Sequence, residues 1–124
     1  MSKNKLKIGS LELESNVVLA PMAGLTDTVY RKLIRKYSST CLLTTEMLSS
    51  ESIVHNPKGN ILKFEQEELP LSFQISGHKP DIMARAAKFV NQFATTIDII
   101  IPVKSAKSPA KSAYLIFLIP TAPK

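Results

Sequence analysis

Asn16-Val17-Val18-Leu19-Ala20-Pro21-Met22-Ala23-Gly24-Leu25-Thr26-Asp27 is the stretch from which the rest of the chain is read. An apolar run of strand length stops at a Pro, passes through small residues and reopens at Thr-Asp. That order describes a strand feeding a helix across a tight loop, where α/β proteins hold ligands. Small residues at such a turn let a flat or phosphorylated ligand come close to the backbone. Asp27 is placed to cap the helix that follows, and Val29, Leu33, Ile34 and Tyr37 form an apolar stripe at helical spacing.

Working outward, the alternation continues. Lys7-Ile8-Gly9-Ser10-Leu11-Glu12-Leu13 reads as a small hairpin turning at Gly-Ser, ahead of a first buried strand over Val17–Ala20. Cys41–Thr45 reads as a second strand, after which Glu46-Met47-Leu48 opens a loop or helix. Asn56-Pro57-Lys58-Gly59-Asn60 is a turn. Leu71-Ser72-Phe73-Gln74-Ile75, bounded by Pro70 and Gly77, is a third strand. Pro80 suits the first turn of a helix whose inner face is Ile82, Ala86, Phe89, Val90 and Phe93. Thr96–Ile101 is a fourth strand. The order β-α-β-α-β-α-β with continuously apolar strands predicts parallel strands covered by helices. After Pro102 the character changes. Residues 103–111 are rich in Ser, Ala and Lys, and the apolar run Tyr114–Ile119 is open between helix and strand.

Composition narrows the class. The chain has 124 residues, 44% hydrophobic and 21% charged, the proportions of one globular domain. No window approaches the roughly 20 apolar residues of a membrane span, and no apolar signal core follows the basic Met1–Lys5, so a cytoplasmic protein is expected. A single cysteine, Cys41, excludes an internal disulfide and a site of several thiolates, and reads as a buried core thiol. Metal ligands are not expected. Of the net charge of +6, four lysines after Asp98 supply +4. That balance is compatible with phosphate contacts to RNA and equally with a solvated lysine-bearing tail. Arg31 and Arg35 are open between solvent and RNA, while His55 and His78 fall in turns and read as surface residues.

Taken together, Leu19–Asp27, Tyr30-Arg31, Thr45-Glu46-Met47 and Phe73-Gln74-Ile75-Ser76-Gly77 resemble the bacterial tRNA-dihydrouridine synthases, over about residues 6–103. Related flavin barrels such as dihydroorotate dehydrogenases share the first loop but fit the later blocks less well. The resemblance implies a (β/α)8 TIM barrel, of which this chain would carry the N-terminal half, roughly four βα units, not closed. A whole barrel takes about 250 residues. Residues 1–103 would be a partial flavin-binding domain and 104–124 a diverged tail. In that family FMN reduces uridine in tRNA to 5,6-dihydrouridine, NADPH re-reduces the flavin, and a cysteine serves as acid. Pro21, Met22 and Ala23 match the loop that packs against the flavin, and Gln74 matches the strand-end amide that hydrogen-bonds its ring.

The departures matter as much. Where the family carries Asn-Met-Gly-Cys-Pro, this chain runs from Ile97-Asp98-Ile99 through Ile100-Ile101 into Pro102. The family cysteine is missing between Ile99 and Pro102, so no catalytic residue is assigned. Lys107-Ser108-Pro109-Ala110-Lys111 replaces a glycine-rich stretch, and Lys79 stands where the family has an aspartate cap. The chain alone therefore reads as a truncated, inactive remnant of an FMN oxidoreductase. It is expected to leave its first and fourth strands as unpaired edges and to associate with itself through them.

Overall fold

The computed structural model describes residues 5–104 and 112–120, with side chains through Ile101. A hairpin leads, β1 (Leu6–Ile8) antiparallel to β2 (Leu11–Leu13), turning at Gly9 with φ +58° as expected. The later elements are α1 (Thr28–Tyr37), β3 (Leu43–Thr44), β4 (Leu48–Ser49), α2 (Ser50–His55), a 3-10 turn (Gln66–Glu68), β5 (Leu71–Ser76), α3 (Pro80–Val90), β6 (Thr96–Lys104) and β7 (Ser112–Pro120).

The sheet runs β3-β5-β6-β7, and β4 also pairs with β5. β3, β5 and β6 run parallel, as read from the sequence, and β4, where a loop or helix was expected, joins β5 in the same direction. The chain is α/β and its sheet is open, consistent with part of a TIM barrel. A count of four βα units is not met, because Val17–Ala20 forms no full strand. It makes one parallel bridge, Val18 to Leu42, held by Leu19 N donating to Leu42 O (2.8 Å) and Leu42 N to Val17 O (3.1 Å). Nor is it buried. Val17 is 59% and Val18 41% exposed, since among the described residues nothing lies on the outer side of this edge.

The other end of the sheet departs from an all-parallel order. β7 pairs antiparallel with β6 over nine positions, from Thr96↔Pro120 to Lys104↔Ser112. The open Tyr114–Ile119 run is thus strand, and the fourth strand's edge is paired rather than bare. β6 also passes the boundary expected at 103. The Ser/Ala/Lys-rich residues 105–111 lie outside the described residues.

Alternation along the parallel strands sorts the two faces. Leu43, Leu71, Phe73, Ile75 and Ile97 point to the side covered by α3 and α2, where they meet Ile53, Met83, Ala86 and Val90. Burying each Leu, Ile or Phe here contributes about 1.5–3 kcal/mol. Phe64 packs edge-on against Phe73, with ring centroids 5.3 Å apart, and continues to Phe93 and Phe89. The α3 face read from the sequence holds, with Met83 added to it. At the hairpin, Ile8 and Leu13 close over Leu42.

α1 does not follow its apolar stripe. Val29, Leu33 and Tyr37 are 72%, 47% and 85% exposed, and only Ile34 of the stripe reaches the core. The buried residue is Arg31. The helix is turned this way because two arginines bind carbonyl and carboxylate groups on the side that faces the 3-10 turn.

Candidate functional site

The loop 21–26 is rigid by its own hydrogen bonds. Leu25 N and Thr26 N both donate to Met22 O (3.1 and 3.0 Å), and Thr26 Oγ1 accepts from Met22 N at 3.1 Å. Gly24 sits at φ +74°, a conformation costly for a residue with a Cβ. Pro21 and Met22 are half-buried and Ala23 is exposed. Asp27 then caps α1, its Oδ1 accepting from Tyr30 N at 2.9 Å, as the sequence predicts.

Arg31 anchors this loop to the 3-10 turn. Its Nε donates to Glu68 Oε2 (2.5 Å), Nη1 to Thr26 O (2.6 Å) and Nη2 to Lys63 O (2.8 Å). Glu68, wholly buried, also accepts from Thr28 Oγ1 and from Glu65 N. Arg35 spends its guanidinium on the carbonyls of Ser38, Cys41, Glu68 and Pro70. Both arginines therefore hold the fold, and neither is the solvent- or RNA-facing group considered above. Arg31 belonged to a quoted motif. Glu68 lies in the run Glu65-Gln66-Glu67-Glu68, where nothing in the sequence sets it apart from its acidic neighbours.

At the carboxyl end of β3 the ladder with β5 carries one extra residue. Thr44 pairs with Ser72 and Leu48 with Ile75, so four steps on one strand face three on the other. Such bulges bend the strand and re-aim a side chain. Thr45 Oγ1 stands in for a ladder carbonyl, accepting from Gln74 N at 3.0 Å. Glu46 precedes β4 rather than starting a helix. It lines a cleft of about 450 Å³ with Asp27, Thr28, Asn60 and Lys63. Phe73 also lines this cleft, so it opens on the helix-covered side of the sheet, opposite Gln74.

Gln74 faces the other side. It is 4% exposed, and its Nε2 donates to Asp98 Oδ2 at 2.8 Å across the β5–β6 register. Ser72 and Thr96, the next registered pair toward the amino ends of these strands, lie on the same face and are fully buried. Three atoms here lack any partner: Ser72 Oγ, Thr96 Oγ1 and Asp98 Oδ1. Buried polar atoms normally find partners, so this face retains unmet capacity to bind a polar group. Burial pushes the Asp98 carboxyl above the ordinary carboxylate range, and the Gln74 hydrogen bond opposes that only in part. Its sequence signal was a lone carboxylate inside Ile97-Asp98-Ile99-Ile100-Ile101.

The parallel topology brings Pro21–Ala23, Thr45-Glu46 and Gln74 to the carboxyl ends of neighbouring strands. His55 closes α2 on the surface rather than lying in a turn, with Nδ1 2.9 Å from Glu51 O. Lys79 precedes α3 without a side-chain cap and pairs with Glu51 at 2.8 Å. Cys41 is buried. Among the described residues, no three His, Cys, Asp or Glu side chains group to hold a metal ion. None of their helices is long and apolar enough to cross a membrane.

A family model described as Dihydrouridine synthase (Dus) matches residues 18–106. The chain belongs to the dihydrouridine synthase family. The matched stretch spans the loop, the Glu46 bulge, Gln74 and Asp98. Among relatives, a probable tRNA-dihydrouridine synthase 1 of Synechocystis is 42% identical over 76% of this chain and 27% of its own length. From Shewanella oneidensis, a tRNA-dihydrouridine(20/20a) synthase is 40% identical over 71% of this chain. A tRNA-dihydrouridine synthase B of that organism is 39% identical over 76% of this chain and 30% of its own length. The chain thus spans under a third of the curated dihydrouridine synthases it matches. The dihydroorotate dehydrogenase reading is not favoured.

Proposed function

We propose that this chain carries flavin-facing segments of a tRNA-dihydrouridine synthase that uses FMN and NADPH in the cytoplasm to reduce uridine in tRNA. The observation that supports this reading is the placement of Pro21–Ala23, Thr45 and Gln74 toward the carboxyl ends of adjacent parallel strands in a member of this family. When bound and reduced by NADPH, FMN would supply a hydride to the uracil C5–C6 double bond, and an acid would have to supply the proton that completes the reduction. Pro21, Met22 and Ala23 would pack against it through a loop already braced by Thr26. Gln74 would hydrogen-bond its ring edge, and the orphaned atoms on that face fit a ligand rich in polar edge groups. The amide suits the task because it both donates and accepts.

The turnover step needs more than these residues. Where the family's cysteine acid would stand, β6 runs unbroken from Thr96 through Lys104. A strand in that place supports the second part of the reading, that this chain alone performs no turnover. Two measurements test it. FMN titrated into the purified chain should be bound, with its fluorescence quenched. Expression of the chain in a strain lacking its dihydrouridine synthases should not restore 5,6-dihydrouridine in bulk tRNA. Absence of FMN binding would overturn the first part, and restored dihydrouridine the second.

A further inference from the structure

Gln74 can present either end of its amide to a ligand, and the two ends recognise opposite chemistry. An NH2 directed outward selects an acceptor, whereas a carbonyl directed outward selects a donor. The neighbouring strand decides between them. Asp98 lies directly opposite Gln74 in the β5–β6 register, and its Oδ2 accepts from Nε2 at 2.8 Å. That contact holds the NH2 end of the amide and leaves the carbonyl Oε1 as the free end. No other side-chain hydrogen bond involves the Gln74 amide among the described residues, so nothing else competes to set its orientation. Asp98 is held in its turn by the strand, with Ile97 packed in the core on the opposite face.

Resting on the flavin reading above, we infer that Asp98 is a positioning residue that turns the Gln74 carbonyl toward the ligand, so that this end of the site selects an N–H donor edge. On a flavin the only ring N–H donor in the oxidised state is the imide N3–H between two carbonyls. Asp98 touches neither cofactor nor substrate in this arrangement and acts through Gln74 alone. Of the unpartnered atoms on this face, Asp98 Oδ1 is the one beside Gln74, while Ser72 Oγ and Thr96 Oγ1 lie buried one registered pair further toward the amino ends.

The test compares FMN with 3-methyl-FMN, in which a methyl group replaces the N3 proton, in binding to the purified chain. The wild type should bind FMN about tenfold more tightly, the effect of one buried hydrogen bond. Asp98→Asn is isosteric, but its amide can accept from or donate to Gln74 and so permits both orientations. The preference should then fall below about threefold, a change that a general loss of stability would not produce. A second readout needs no flavin. In the ligand-free chain the side-chain NH2 of Gln74, assigned by its loss in Gln74→Glu, should give two resolved proton signals that exchange slowly with solvent. Equal wild-type affinity for the two flavins overturns the inference and leaves the flavin reading standing. A Gln74 NH2 that exchanges as freely as in a peptide also overturns it. Failure of both flavins to bind overturns the flavin reading and, with it, the assignment of the donor edge.

Discussion

At the scale of single residues, charge placed inside the fold governs this chain. Asp98 is a carboxyl whose native pKa lies above its unfolded value because burial disfavours the ion. Its contribution to stability is fully present below the ordinary aspartate pKa and is lost as pH rises through the raised native one. Asp98→Asn removes that dependence. The urea midpoint of the variant relative to wild type should therefore climb from pH 4 to pH 7, and midpoints that stay parallel would refute the placement. Arg31 and Glu68 make the opposite case, a buried pair with its hydrogen bonds satisfied. Removing one partner, as in Glu68→Ala, strands a charge and should cost about 3–5 kcal/mol. Replacing both, as in Arg31→Met with Glu68→Leu, should recover much of that loss. Thermal melts of the three proteins decide it, and equal melting of single and double variants would count against the pair.

At the scale of elements, two local signals carry much of the architecture. Asp27 caps α1 through Tyr30 N, so Asp27→Ala should cost about 1 kcal/mol, read from the urea midpoint. Gly77 ends β5 where Ser50 and Met83 leave no space for a Cβ. Gly77→Ala should push α3 from the sheet and cost about 1–3 kcal/mol by the same measurement. The hairpin, β5, α3 and the start of β6 were legible because turn residues bound short apolar runs and Pro80 marks a helix start. The facing of α1 was not. Periodicity counts apolar side chains, and here two arginines bound to carbonyls outweighed a stripe with nothing against it among the described residues. The site was legible in half. Gln74 stood out as an amide on an apolar strand, but its partner Asp98 is set by register, which a linear reading does not supply. The bulge before Leu48 was hidden for the same reason.

At the scale of the whole molecule, one side of the sheet is left open. Val17 and Val18 lie at the bridge beside β3, and the exposed α1 stripe adds further apolar surface. Apolar surface beside an unpaired strand favours association. The chain should sediment as a concentration-dependent oligomer, and Val29→Lys with Leu33→Lys should shift it toward monomer. A monomeric wild type over the micromolar range would exclude this. The opposite side carries β7, and its direction has a consequence of its own. The outer main-chain groups of β6 are a single row, and an antiparallel neighbour spaces its hydrogen bonds differently from a parallel one. Two such neighbours cannot share that row. For as long as β7 holds it, β6 is the last parallel strand, and any further barrel strand could join only after β7 had let go.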